Sequence, residues 1–174
     1  MKIKLNEATI FAHEAHRQQK YGDQPYFHHL KDVVETLAFY GFSEDCSIVI
    51  SGWLHDVVED TSVSLGEIKR LFGENVAQYV NAVSGEGKNR KERNESIYRK
   101  LNEFRDAIPL KLADRIANVK NCIKEQSNDL QAGKSNLLEM YSKEYPKFKE
   151  RLFSSEDDIR VLDMWKTLDE LLST

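Results

Sequence analysis

The chain has 174 residues, 40% hydrophobic and 31% charged, with a net charge of −4. That length suits one well-cored domain, and that mix of residues excludes a disordered chain. The 25 basic residues form no dense block and are outnumbered by 29 acidic ones, which argues against nucleic acid as a partner.

The N-terminal "MKIKLNEATIFAHEAH" has neither the apolar core nor the small-residue cleavage site of a signal peptide. Leu5 to Lys20 instead reads as a helix, with Ala8, Phe11, Ala12 and Ala15 on one face. Gly22, Asp23 and Pro25 break it as turn residues. A second helix is predicted from Phe27 to Tyr40, with Leu30, Val33, Val34 and Leu37 at core spacing and Gly41 as its left-handed cap. Ser43 is the expected N-cap of a third helix, which continues to Glu59. Ser64, with Glu67 three residues on, gives a capping-box pattern for a short helix that Gly73 ends after Phe72. Another helix covers Asn75 to Val83. "SGEGKNRKERN", 84–94, is polar with two glycines and predicts a mobile loop. Helices follow over 95–106, 109–126, 131–152 and 156–172. Pro109 is harmless in a first turn, whereas Pro146 is expected to kink or divide its helix. No strand alternation or repeat stands out. No stretch approaches the roughly 18 apolar residues of a membrane span. Cys46 and Cys122 belong to no CxxC pair and make no disulfide framework. The reading is an all-α, cytoplasmic, single-domain helical bundle over 1–174, with its oligomeric state open.

"SGWLHDVVEDT", 51–61, puts a histidine and three carboxylates into a highly apolar segment. Buried charge is costly unless something offsets it. On a helical wheel, Ile50, Trp53, Leu54 and Val57 cluster on one side. His55, Asp56, Glu59 and Gly52 lie broadly opposite, with Asp60 one turn above Asp56. Gly52 leaves room beside them for another helix or a ligand. A divalent metal gives the array a reason to be buried, because it takes imidazole nitrogen and carboxylate oxygen together. His55 and Asp56 alone cannot fill its shell. His13, His16, His28 and His29 are the other histidines. In "PLKLADRIAN", 109–118, Lys111, Asp114 and Asn118 share one helical face, and the apolar residues before Asp114 bring it towards the core.

The order His29, His55-Asp56, Asp114 resembles the H…HD…D signature of the HD superfamily of metal-dependent phosphohydrolases. "QPYFHHLKDVVETL", "LHDVVEDT", "FGENVAQYVNAVS" and "KLADRIANV" resemble segments of alarmone hydrolases of the RelA/SpoT type, which read PYxxHPxxVA, LLHDVVEDT, FGxxVAxLVxxVT and KLADRxxN. The resemblance covers about residues 8–150. It implies a metal, usually Mn²⁺, held by His29, His55, Asp56 and Asp114. It implies that Glu59 and Asp60 position or activate the attacking water, and that Asn118 holds the nucleotide sugar. The implied substrate is a nucleotide, guanosine 3′,5′-bis(diphosphate) (ppGpp) or its 5′-triphosphate, hydrolysed at the 3′-diphosphate. A phosphatase acting on another nucleotide, such as the 2′-phosphate of NADPH, and a non-catalytic nucleotide-binding module are the alternatives.

Leu30 departs from the family's proline and Ala117 from its His or Tyr. The loop "RQQKYGDQ" is short, so Lys20 is the basic candidate for contacting the base. Lys111 either contacts phosphate or pairs with an acid, and the basic "GKNRKERN" is a solvated loop or, alternatively, a lid over phosphates. Tyr141 and Lys143 fall where relatives place substrate contacts, with an ordinary amphipathic helix as the alternative. His16 is a candidate to support the site from behind its ligands.

Overall fold

The computed structural model describes residues 2–43, 46–128 and 136–173. Apolar residues at helical spacing form α1 (Lys2–Ala15), α2 (Phe27–Phe39), α3 (Cys46–Leu54), α4 (Val57–Asp60), α5 (Leu65–Phe72), α6 (Glu74–Val83), α7 (Arg90–Glu103), α8 (Ile108–Asn128), α9 (Asn136–Leu152) and α10 (Ile159–Leu172). The all-α reading holds, with one small addition. Lys20–Tyr21 (β1) and Gln24–Pro25 (β2) pair antiparallel across a turn begun by Gly22 at φ +60°. Two-residue strands, one of them ending in proline, show no alternation that a sequence reading could detect.

α8 runs through the centre, packed against α2 on one side and α10 on the other, while α3 lies against α1, α2 and α6. Two apolar clusters result. One gathers Leu37, Leu112, Ile116, Phe148 and Trp165. The other gathers Leu30, Ile50, Leu54, Ile68 and Val80. Leu30 follows His29 and Leu54 precedes His55 in the second cluster, whereas Leu112 and Ala113 precede Asp114 in the first. The predicted metal residues therefore stand at the seam between two dry cores, which fixes their backbones from both sides.

The third helix does not continue to Glu59. It ends at Leu54, turns at His55-Asp56 and resumes as α4. Adjacent residues on an unbroken helix diverge by about 100° and cannot aim at one point. The break lets both do so. Ser43, the expected cap, is followed by residues 44–45, which lie outside the described residues, as does the start of the 131–152 helix at 131–135. Segment 84–94 is not a loop throughout, because α7 starts at Arg90. Asn89 Oδ1 accepts from Glu92 N–H at 3.0 Å, and Asn89 Nδ2 donates to Glu92 at 2.8 Å. Pro146 lies inside α9 without dividing it. It and Ser142, whose carbonyl loses a donor there, are both exposed, so water can satisfy that carbonyl.

The space beside Gly52 is taken by α2. A Cβ there would stand 2.9 Å from Val34 Cγ2 and 3.2 Å from Leu37 Cδ1. Gly52→Val is expected to lower stability by about 1–3 kcal/mol through overpacking. Denaturant melts should show the loss, and a melt unchanged from wild type would mean that α2 and α3 are not in tight contact.

Candidate metal centre

Four side chains from three segments meet at the seam. His29, in the first turn of α2, places Nε2 3.4 Å from Asp114 Oδ1 and 3.5 Å from Asp56 Oδ2. His55 Nε2 lies 2.8 Å from Asp56 Oδ2 and 3.9 Å from Asp114 Oδ1. Both histidines are only 1% exposed and Asp114 8%.

His55 Nδ1 lies 2.9 Å from the Gly52 carbonyl, an acceptor only, so Nδ1 carries the proton and donates. Nε2 is left to take a proton or a cation. It is buried without a hydrogen-bond partner, facing the Asp56 oxygen. That orphaned nitrogen, set among one more imidazole and two carboxylates, fits a divalent cation. His29, His55 and Asp114 each offer one ligand atom within 4.8 Å of the others.

Burial pulls His29 towards the neutral form, but Asp114 and Asp56 outweigh it and carry its pKa up to about 9. Burial likewise opposes charging of His55, and Asp56 outweighs it. Asp56 is held well below the usual carboxylate range, against burial, by His55 and His29. Asp114 is held low too, against burial, by Lys111 and His29. The two carboxylates thus favour positive charge on both histidines.

The Asp56 and Asp114 oxygens are themselves held. Tyr26 Oη donates to Asp56 Oδ2 at 2.5 Å, and the Tyr26 ring stacks on His16 at 4.7 Å. Burial, then the Asp56 charge, pushes the Tyr26 pKa far up, so the hydroxyl stays a donor. Lys111 Nζ donates to Asp114 Oδ2 at 2.8 Å and Asn118 Nδ2 to Oδ1 at 2.5 Å. Tyr21 Oη donates to Asn118 Oδ1 at 2.8 Å, fixing the amide's orientation.

Glu59 and Asp60 stand on α4 beside the cluster. Glu59 Oε2 accepts from Gly85 N–H at 2.9 Å, and Oε1 lies 3.6 Å from Arg93 Nε. Asp60 Oδ2 accepts from Gln19 Nε2 at 2.8 Å, and Gln19 Oε1 lies 2.7 Å from His16 Nδ1. A cavity of about 210 Å³ opens over these residues, with Arg90, Arg93, Lys111, Arg115 and Tyr141 also lining it. A larger groove of about 350 Å³ between α2 and α8 shares none of its lining residues.

The structure thus brings together His29, His55, Asp56, Asp114, Glu59, Asp60, Asn118, Lys111 and Tyr141. Lys20 is apart from them, exposed on β1 and outside the cavity lining. His28 is exposed where His29 is buried, and His13 is exposed beside Glu14. Lys143 pairs with Glu139 on the exposed side of α9. Sequence reasoning missed Gln19, Tyr21, Tyr26 and Arg115 as parts of this site, and reached Arg90 and Arg93 only as members of the basic segment 87–94.

Residues 8–143 match the HD domain family. A guanosine-3′,5′-bis(diphosphate) 3′-pyrophosphohydrolase of Aquifex aeolicus is 40% identical over 122 residues, which cover 67% of this chain and 17% of that protein. This chain therefore corresponds to a small part of the Aquifex protein's length. The MESH1 protein of Danio rerio, of the same enzyme name, is 32% identical over 67% of this chain and 68% of its own. A solved structure described as a metazoan ortholog of SpoT that hydrolyzes ppGpp superposes with a TM-score of 0.80 at 25% identity, covering 98% of this chain and 94% of that one.

Proposed function

The chain belongs to the HD domain family, and on that premise we propose that it is a metal-dependent nucleotide phosphohydrolase acting on guanosine 3′,5′-bis(diphosphate). One observation carries the reading. An orphaned imidazole nitrogen, a second histidine and two carboxylates meet at the floor of a cavity that Arg90, Arg93, Lys111 and Arg115 also line. Such a cavity suits a phosphate-bearing anion, and its floor suits a divalent ion, for which we propose Mn²⁺.

His29, His55, Asp56 and Asp114 would hold the ion. A cation bound there polarises a phosphoryl oxygen and makes water more acidic. Glu59 orients the attacking water and takes its proton, with Asp60 supporting from the same short helix. The water oxygen bonds to the phosphorus attached to the ribose 3′-oxygen, and that P–O bond breaks. The 3′-oxygen leaves and recovers a proton, and pyrophosphate is released. Asn118, pinned by Tyr21 and Asp114, presents its amide to the sugar. Lys111 is the partner of an acid, Asp114, while Arg90 and Arg115, both held by Glu144, line the cavity where phosphates would lie. Lys20 lies outside the lining, so recognition in this cavity rests on phosphate more than on the base.

A panel of guanosine 3′-diphosphates and NADPH, assayed with Mn²⁺, tests this directly. The expected result is pyrophosphate release from the 3′-diphosphates. Turnover confined to NADPH would overturn the substrate, and no turnover on any member would overturn the enzyme.

A further inference from the structure

Segment 84–89 is pinned along its length. Its anchor is Lys100, a buried ammonium that donates to the Ser84 carbonyl at 3.1 Å and to Asn81 Oδ1 at 3.2 Å and pairs with Glu86. Glu86 N–H donates to Ser96 Oγ, and Lys88 N–H to Glu92 Oε2, both at 2.8 Å. Gly85 lies so close to α7 that a Cβ on it would stand 2.7 Å from Arg93 Cβ. These contacts join the strap and the first turns of α7 into one piece.

Two donors on that piece converge on Glu59. The Gly85 N–H holds Oε2 and the Arg93 guanidinium faces Oε1. Each carboxylate oxygen has two lone pairs, so each keeps one for the cavity that Glu59 and Arg93 both line. The Glu59 and Arg93 side chains are 31% and 40% exposed. A pair this open to water adds little to stability, so its consequence is geometric.

We propose that Arg93 is a positioning residue for hydrolysis. With the Gly85 N–H it holds the Glu59 carboxylate in the orientation from which it takes the proton of water. The proposal rests on the assignment of Glu59 made above.

The test is a double-mutant cycle on Arg93→Ala and Glu59→Gln. It is assayed with Mn²⁺ on the panel nucleotide turned over fastest, with metal content measured for every variant. Arg93→Ala is expected to lower kcat about 10- to 100-fold with KM within about twofold of wild type, as for a misplaced reacting group. Arg93→Lys restores part of the rate. In the Glu59→Gln background Arg93→Ala costs nothing further, because a residue acting through Glu59 has nothing left to position. Effects that multiply in the double variant, with KM raised by Arg93→Ala, would overturn the proposal and make Arg93 a phosphate contact. A slow Glu59→Gln beside a wild-type Arg93→Ala would overturn it alone. Wild-type turnover by Glu59→Gln would overturn the assignment of Glu59 and the proposal with it.

Discussion

Asp114→Ala is expected to abolish metal uptake and turnover together. The several kcal/mol of Lewis-acid stabilisation lost with the ion correspond to a fall in kcat of about 1000-fold or more. Asp114 reaches both histidines and is itself fixed by Lys111 and Asn118, so its removal disorders more than one coordination position. The pH dependence follows from His29. Its pKa is raised to about 9 because Asp114 and Asp56 outweigh burial. Protonation therefore stabilises the metal-free fold fully below about pH 6.5, and that contribution is lost as pH rises through about 9. A metal needs the same imidazole deprotonated, so loading releases a proton and affinity weakens as pH falls below about 9. Calorimetric Mn²⁺ titrations at pH 6 and pH 8 should show the weaker binding at pH 6. Equal affinity at both would remove His29 from the ligand set. Metal content equal to wild type in Asp114→Ala would remove Asp114.

The parts of this protein legible in its sequence are those written by local rules. Apolar spacing located the main helices, and Ser64 with Glu67 marked the start of α5, where the serine hydroxyl accepts from Glu67 N–H at 3.2 Å. The same rule, applied to Asn89 and Glu92, would have placed the start of α7. There the dense charge of the segment was taken for a solvated loop. The break at His55-Asp56 had no such signal, because neither Gly nor Pro marks it. It is imposed from outside, where both side chains must face Asp114 and His29. That His29, His55, Asp56 and Asp114 come together was legible because the HD and KLADR motifs keep them next to fixed neighbours. Their supports were not. Tyr26 reaches Asp56 from the turn before α2, Gln19 reaches Asp60 from the connection between α1 and β1, and Arg93 reaches Glu59 from a helix that the loop reading left out. Contacts of that kind depend on how helices stack, and one sequence carries no periodicity that reports it.

Glu59→Gln is expected to keep its metal and lose turnover by about 100- to 10,000-fold, the range over which a positioned acid or base contributes. The substitution keeps the length of the side chain and leaves one amide oxygen to accept from Gly85 N–H. It removes the charge facing Arg93 and the capacity to take a proton. None of the contacts among His29, His55, Asp56 and Asp114 involves Glu59, so metal content should stay at the wild-type level. That separates it from Asp114→Ala, in which metal and rate fall together. Asp60→Asn is the internal comparison. Asp60 also lines the cavity, but one of its oxygens is engaged by Gln19, which in turn meets the buried His16. Its loss should cost less than that of Glu59, whose two oxygens are held at the cavity by Gly85 N–H and Arg93. If Asp60→Asn proved the slower variant with metal retained in both, the proton would pass to Asp60 and the pair would exchange roles.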